Sequence, residues 1–229
     1  MEWTFQQLLD NGVSAEYERE KNTAPITSWR SSGLGSCMTG RYLERMGVPP
    51  DEEFDARTLR VFSAGKKWED FVMEHIKRNP DIIVEQQLDF EIPEHNLTGH
   101  CDARVTKDNK RKVLECKSKN SRAFWYMAKK GEGANLHHKM QLWSYLWGLD
   151  EEEGAILYIE KDTETVLEFP VYRSDPYLQK LVMDELNTLN RAWKEKLPPE
   201  PVRDPKDWRY QYCRWHKQCM SQPAYLKEK

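Results

Sequence analysis

Apolar positions along this chain recur at two spacings, and the switch between them marks the elements. Between Leu97 and Lys119 the period is two. Leu97, Gly99, Cys101, Ala103 and Val105 alternate with His100, Asp102 and Arg104; further on, Leu114 and Cys116 alternate with Glu115 and Lys117. Strand side chains point to opposite faces in turn, so this pattern predicts two strands, each with one apolar or small face and one polar face. The polar, basic stretch Lys107 to Lys112 between them predicts a hairpin turn. In that hairpin Asp102, Glu115 and Lys117 meet on one face. Ile82 to Phe90, Gly154 to Glu160 and Thr165 to Tyr172 read as further strands.

Elsewhere the spacing is helical. Leu59, Phe62, Lys66, Glu69, Met73 and Ile76 predict a long helix over 55–77, stopped by Asn79-Pro80. A shorter helix is expected over 37–46, ended by Gly47 to Pro50, and a last one over 175–196, ended by Leu197-Pro198-Pro199. Over 134–148, Leu136, Met140, Trp143, Leu146 and Trp147 form the buried stripe, which leaves His137 or His138, Gln141 and Tyr145 on the opposite face. Trp3 to Leu9 and Glu16 to Lys21 are two further helical hints. Residues 120–133 read as an aromatic and basic connection, and 200–229 as irregular apart from a cysteine-bearing segment. The order of helices and strands predicts one mixed α/β domain spanning 1–229, with a core at about 54–196.

Charge changes this picture locally rather than globally. The net charge of -3 gives no general attraction to polyanions. From residue 104 to 139, however, Lys or Arg stands at 104, 107, 110, 111, 112, 117, 119, 122, 129, 130 and 139, against acids at 108, 115 and 132 only. Such a local excess attracts a polyanion, or else is a solvated lysine-rich hairpin. There is no apolar run of about 18 residues that would span a membrane, and the first residues lack a secretory leader's pattern. Five cysteines at uneven spacing do not make a disulfide framework. The expected location is therefore a reducing cytoplasm, a host cell's if the chain is phage-encoded.

Two carboxylates and an ammonium on one strand face suit a divalent cation and a negatively charged reacting group. Hard oxygen donors favour Mg²⁺ or Mn²⁺. The plain alternative is an exposed, salt-bridged strand pair. Gly65 and Glu69 share a helix face one turn apart, as do Gln141 and Tyr145. A glycine there would let the helix approach a neighbour, and the Gln–Tyr face could bond a phosphate or stack on a base.

Taken in order, Gly65-x-x-x-Glu69, Gly99-His100-Cys101-Asp102, Glu115-Cys116-Lys117 and Gln141-x-x-x-Tyr145 resemble the motifs of the PD-(D/E)XK nuclease superfamily. The resemblance covers residues 31 to 220. It is greatest to the RecB-type exonuclease branch, which includes CRISPR-associated adaptation nucleases and phage recombination exonucleases. It implies a restriction-endonuclease-like core, a central mixed sheet flanked by helices, and Mg²⁺- or Mn²⁺-dependent hydrolysis of DNA. By motif position Asp102 and Glu115 become metal ligands, Lys117 the catalytic lysine, and Glu69 a further acidic ligand where many relatives carry histidine. The main-chain carbonyl of Cys116 becomes an additional ligand. Gln141 and Tyr145 fall on the DNA-facing helix. Lys119 and Arg122 join them as DNA-binding residues, with the basic hairpin and the aromatic 122–130 segment (Phe124, Trp125, Tyr126, Lys129, Lys130) gripping a single strand. Partners implied are DNA, proteins of recombination, repair or CRISPR adaptation, and further copies of the chain.

The same branch often pins its terminal segments together with a four-cysteine iron–sulfur cluster. Here Cys37 precedes the core, and Cys213, His216 and Cys219 follow it. The histidine departs from the pattern, so three outcomes stay open: an iron–sulfur cluster, a Cys₃His zinc site, or no metal. A metal would make 31–50 and 200–222 a joint cap. Cys101 and Cys116 read as small core residues. Two rival functions also stand: a DNA-binding or end-processing module with little cleavage of its own inside a partner complex, and a metal-clamped interaction protein.

Overall fold

The computed structural model describes residues 4–21, 24–130 and 133–221. Trp3, the side chain of Lys130, Glu132 and the end of the proposed cap at residue 222 lie outside the described residues. Helix α1 (Phe5–Glu20) opens the chain with a capping box, in which the Thr4 side chain accepts from Gln7 N and the Gln7 side chain accepts from Thr4 N. The two helical hints there are one helix. Strand β1 (Trp29–Arg30), α2 (Met38–Arg45) and α3 (Ala56–Lys77) follow, then β2 (Ile82–Ile92), β3 (Leu97–Lys107) and β4 (Lys110–Lys119). Helices α4 (Ser121–Lys130) and α5 (Leu136–Gly148), strands β5 (Glu153–Glu160) and β6 (Val166–Tyr172), and helices α6 (Pro176–Glu195), α7 (Trp208–Gln211) and α8 (His216–Ser221) complete the described fold.

The six strands form one mixed sheet flanked by helices, consistent with a restriction-endonuclease-like core. Strands β2, β3 and β4 form an antiparallel meander, β5 runs parallel to β4, and β6 returns antiparallel to β5. Strand β2 occupies one side of β3 from Leu97 to Lys107, so the parallel contact of β1 with Leu97 and Thr98 must fall on the side shared with β4. The β3–β4 ladder runs from Lys107↔Lys110 only as far as Ala103↔Leu114. Between that point and β1 the sheet opens, at Asp102.

Residues 120–133, expected as a connection, contain a ten-residue helix instead. Phe124 and Met127, one turn apart, are buried there while Trp125 and Tyr126 are exposed, which is an amphipathic helical pattern. Helix α5 departs further from expectation. It contacts five strands and α6, and every residue from Met140 to Leu146 is buried. A helix apolar nearly all round belongs inside, and this one takes Gln141 and Tyr145 in with it. Leu136, assigned to the buried stripe, is 45% exposed at the first turn.

The chain ends are joined. Asp51 N donates to Arg214 O (2.8 Å), Trp215 Nε1 to Val48 O (2.8 Å), Lys217 N to Asp51 Oδ2 (2.7 Å) and Thr39 Oγ1 to Pro199 O (2.7 Å). Cys37, Leu43, Cys213, Trp215 and Cys219 form a second small core between them.

Candidate active site

The site lies where β3 and β4 part. Asp102 and Glu115 continue the register of Ala103↔Leu114 by one residue and so fall on one face. Instead of a further ladder bond, Asp102 Oδ2 accepts the main-chain N–H of Cys116 at 2.7 Å. That bond leaves the second Asp102 oxygen for other work and holds the carboxylate across the gap. Gly99 makes the approach of β3 to β2 feasible: a Cβ at that position would lie 2.2 Å from the Phe90 ring. Gly65 has no such role, because a Cβ there would meet nothing within 4 Å. The expected close helix approach at Gly65 is not present.

Glu115 is fully buried, and among the described residues only the Lys117 ammonium pairs with its carboxylate. Its one neighbour of opposite charge is Lys117, whose ammonium forms an ion pair with Oε1. Burial pushes the Glu115 carboxyl up to about 7; Lys117 opposes the shift, and Asp102 and Glu69 add to it. Burial raises Asp102 as well, against the pull of Lys117 and the Cys116 N–H. Glu69, reaching in from α3, is raised by burial and by Asp102. Burial works against the charge on Lys117, but Glu115 and Asp102 outweigh it and hold the ammonium above its ordinary range. Three carboxylates around a single lysine, with Asp102 raising the proton affinity of the other two, are short of positive charge. Their oxygens are the hard donor set that suits Mg²⁺ or Mn²⁺.

A residue that the sequence patterns did not single out completes this group. Gln87 stands opposite Asp102 on β2 with a left-handed backbone (φ 56°), a conformation seldom adopted by residues other than glycine and often found at functional sites. Its side-chain Nε2 donates to Glu69 Oε1 at 2.7 Å, and its Oε1 faces His100 Nε2. His100 Nδ1 in turn donates to Asp89 Oδ1 at 2.7 Å. The chain Asp89–His100–Gln87 thus fixes the orientation of Glu69. Nothing in a period-two pattern announces a strand residue with positive φ, so only the fold exposes it.

Gln141 and Tyr145 are 6% and 2% exposed, not on an open face. Gln141 Nε2 donates to the Tyr145 hydroxyl at 2.6 Å, and the Tyr145 ring packs edge-on to Phe90 at 5.6 Å. Burial, then the charge of Glu115, keeps the Tyr145 hydroxyl protonated far above its ordinary range. The pair therefore backs the carboxylates from α5. Lys119 and Arg122 stand beyond Lys117. The basic hairpin is partly neutralised: Arg104 is held by Glu85 at 2.7 Å and by Glu151 at 3.1 Å, Arg111 by Glu151 at 3.1 Å and Lys112 by Glu153 at 2.8 Å.

At the joined chain ends, the thiols of Cys37, Cys213 and Cys219 lie within 4.8 Å of one another, all buried and none in a disulfide. Cys213 and Cys219 Sγ are 3.8 Å apart, which equals the separation of about 3.8 Å expected for thiolates around one tetrahedral metal. Gly40 leaves room for them, since a Cβ there would be 2.8 Å from Cys213 Sγ. Hydrogen bonds from Cys213 and then Cys219 hold the Cys37 thiol well below its ordinary range. His216 stands outside this trio; its Nδ1 lies 3.2 Å from Cys213 O. Cys101 is fully buried and Cys116 half-buried, and burial raises both thiols.

No family model and no curated protein matches the sequence. Solved structures do match the fold. The structure of SSO0001 superimposes with a TM-score of 0.59 at 19% identity, over 96% of this chain and 98% of that one. An alkaline exonuclease (LHK-Exo) from Laribacter hongkongensis matches with a TM-score of 0.57 at 12% identity, over 75% of this chain and 90% of that one. The chain thus shares its fold with an exonuclease, at identities that speak for the fold alone.

Proposed function

We propose that this chain is a divalent-metal-dependent DNA nuclease of the PD-(D/E)XK superfamily, an exonuclease of the RecB type, hydrolysing phosphodiester bonds with an activated water. The observation that carries the reading is three carboxylates, the fully buried Glu115 with Asp102 and Glu69, gathered around the one ammonium of Lys117 at the opening of the sheet. A protein keeps such a charge only when something offsets it. Glu69, Asp102, Glu115 and the Cys116 carbonyl would hold Mg²⁺ or Mn²⁺, which when bound supplies a more acidic water and a polarised phosphoryl oxygen. Lys117 offers positive charge to the oxygens of the phosphorus under attack, which become more negative in the transition state. Asp102, held by the Cys116 N–H, and Glu69, held by Gln87, keep their oxygens in place without reorganisation. Gln141 and Tyr145 act from behind by holding the wall on which Glu115 rests, and Lys119 and Arg122 meet the phosphates of the substrate. The fold shared with an alkaline exonuclease supports this reading.

For the chain ends we propose that Cys37, Cys213 and Cys219 hold a second, structural metal, an iron–sulfur cluster or zinc, with His216 as the fourth ligand. This metal makes 31–50 and 200–222 one cap on a single domain that works in the cytoplasm. The test of the main proposal uses end-labelled single- and double-stranded DNA with Mg²⁺, Mn²⁺ or EDTA. Cleavage should need metal, and Lys117→Ala should lose at least about 100-fold in rate while binding DNA nearly as well as the parent. Full activity in that variant removes Lys117 from the mechanism. Binding without cleavage under every metal would instead favour an end-processing module acting within a partner complex.

A further inference from the structure

Positive charge without a carboxylate partner gathers a step away from Lys117. Lys119 lies two residues beyond Lys117 on the same face of β4, half-buried, with its ammonium 5.1 Å from the Tyr158 ring. Among the described residues Lys119, Arg122, Lys139 and Lys206 form no ion pair, in contrast to Arg104, Arg111 and Lys112 of the β3–β4 hairpin. All four line two adjoining hollows of about 720 and 1030 Å³, which share Lys119, Asn135 and Leu136 and so form one continuous groove. Helix α4 makes one wall, the tail at α7 the other, and the start of α5 the floor.

The groove also carries ring faces. Trp208 rests against His137 with centroids 4.8 Å apart and remains 41% exposed; Tyr212 is 79% exposed. The acid among the described lining residues is Asp207, and its carboxylate is already taken by Arg209 at 2.6 Å. A groove that combines unpaired cations with exposed rings and lacks free carboxylates matches a flexible polyanion whose planar groups are open for stacking. A duplex offers phosphates to the cations but keeps its base faces inside its own stack, so the rings would have nothing to meet. We propose that this groove takes a single-stranded nucleic acid and leads it to the carboxylates beside Lys117. The cations meet its phosphates and Trp208 and Tyr212 stack on its bases. The role as a path to the cutting site rests on the nuclease reading; the binding itself does not.

The experiment measures binding in EDTA, where no metal-dependent cutting can occur. Fluorescence anisotropy follows a labelled 20-mer as single-stranded DNA, as the same sequence in RNA, and as a DNA duplex. One or both single strands should bind at least about 10-fold tighter than the duplex. Trp208→Ala and Tyr212→Ala, at exposed positions with little bearing on folding, should each cost roughly 5- to 100-fold. Lys119→Gln and Arg122→Gln should weaken binding and each lower the slope of log K against log salt by about 0.7. Lys180→Ala, whose ammonium already pairs with Asp184, should bind as the parent does. A duplex bound as tightly as the single strands, or ring variants indistinguishable from the parent, overturns the groove. Adding Mn²⁺ separates the two proposals. Loss of binding in the groove variants of a protein that never cuts keeps the groove and removes the nuclease; cutting by a protein whose groove variants bind normally does the reverse.

Discussion

Glu115 concentrates the conflict on which the site is built. Its carboxyl is fully buried, has the Lys117 ammonium as its donor, and is pushed up by burial from 4.5 to about 7. The native state therefore holds a proton that the unfolded chain has released as pH rises from about 4.5 to about 7, and stability falls across that window. Above it the full cost is present, about 3 kcal/mol at 1.4 kcal/mol per pKa unit. Glu115→Gln should accordingly raise the stability of the metal-free protein at pH 8 by about 2–3 kcal/mol, leave it nearly unchanged at pH 4.5, and abolish activity. Urea melts at the two pH values measure this; an equal effect at both would show that ionisation of Glu115 is not the cause. Gln87 acts one residue further out, through Glu69. In Gln87→Ala the Glu69 carboxylate loses its donor, so its proton affinity rises and its oxygens lose their direction. The Mn²⁺ concentration for half-maximal cutting should increase about 10- to 100-fold, and the rise in rate with pH should move to higher pH. A lower rate with unchanged metal and pH dependence would reduce Gln87 to a structural part of β2.

At the scale of the element, regular periodicity was readable and exceptions to it were not. The period-two pattern of Leu97 to Val105 gave a strand with Cys101 and Ala103 buried and Asp102 beside the opening of the sheet. The helix around Leu59 and Met73 followed from spacing in the same way, and the one over 175–196 was bounded by its Leu197-Pro198-Pro199 stop. What a one-dimensional pattern lacks is the number of layers on an element. Gln141 and Tyr145 looked exposed because they faced away from one apolar stripe; α5 is packed all round, so both are interior. Helix α4 was hidden because its aromatic residues point both inward and outward, Phe124 buried and Trp125 exposed. The two-residue β1 offers no period at all. Gly99 shows how tightly the site depends on the meander. Gly99→Ala would drive a methyl group into the Phe90 ring, and such overpacking costs about 1–3 kcal/mol. Thermal melts should show that loss, while Gly65→Ala, on open helix surface, should be neutral or stabilising by up to about 1 kcal/mol. Equal effects at the two glycines would argue against the packing described.

Across the whole molecule, the tail links the groove and the cysteine trio. The tail contributes both a wall of the groove at Trp208 and Tyr212 and two of the three clustered thiols. A metal held by Cys37, Cys213 and Cys219 would therefore set the position of that wall. Cys219→Ser should remove the bound metal found by elemental analysis and lower Tm by on the order of 10 °C, the equivalent of a few kcal/mol for a chain of this size. A variant that melts with the parent, and a parent that carries no metal, would leave the trio as plain core. The order of the motifs around Asp102 and Glu115 was legible from the chain alone. The groove was not, because it brings together Lys119, Leu136 and Trp208, residues far apart in sequence that meet only in the fold.

The central claim is that the carboxylates at the sheet opening hold the cation that makes this protein cut DNA. One calorimetric titration of Mn²⁺ at pH 8, run in parallel on the parent and on Asp102→Asn and paired with cleavage of end-labelled DNA under the same conditions, tests it most directly. The account predicts metal binding with proton release by the parent, at least about 10-fold weaker binding by the variant, and cleavage that disappears with the binding. Cleavage that persists in Asp102→Asn, or Mn²⁺ binding that is the same in both proteins, would contradict it.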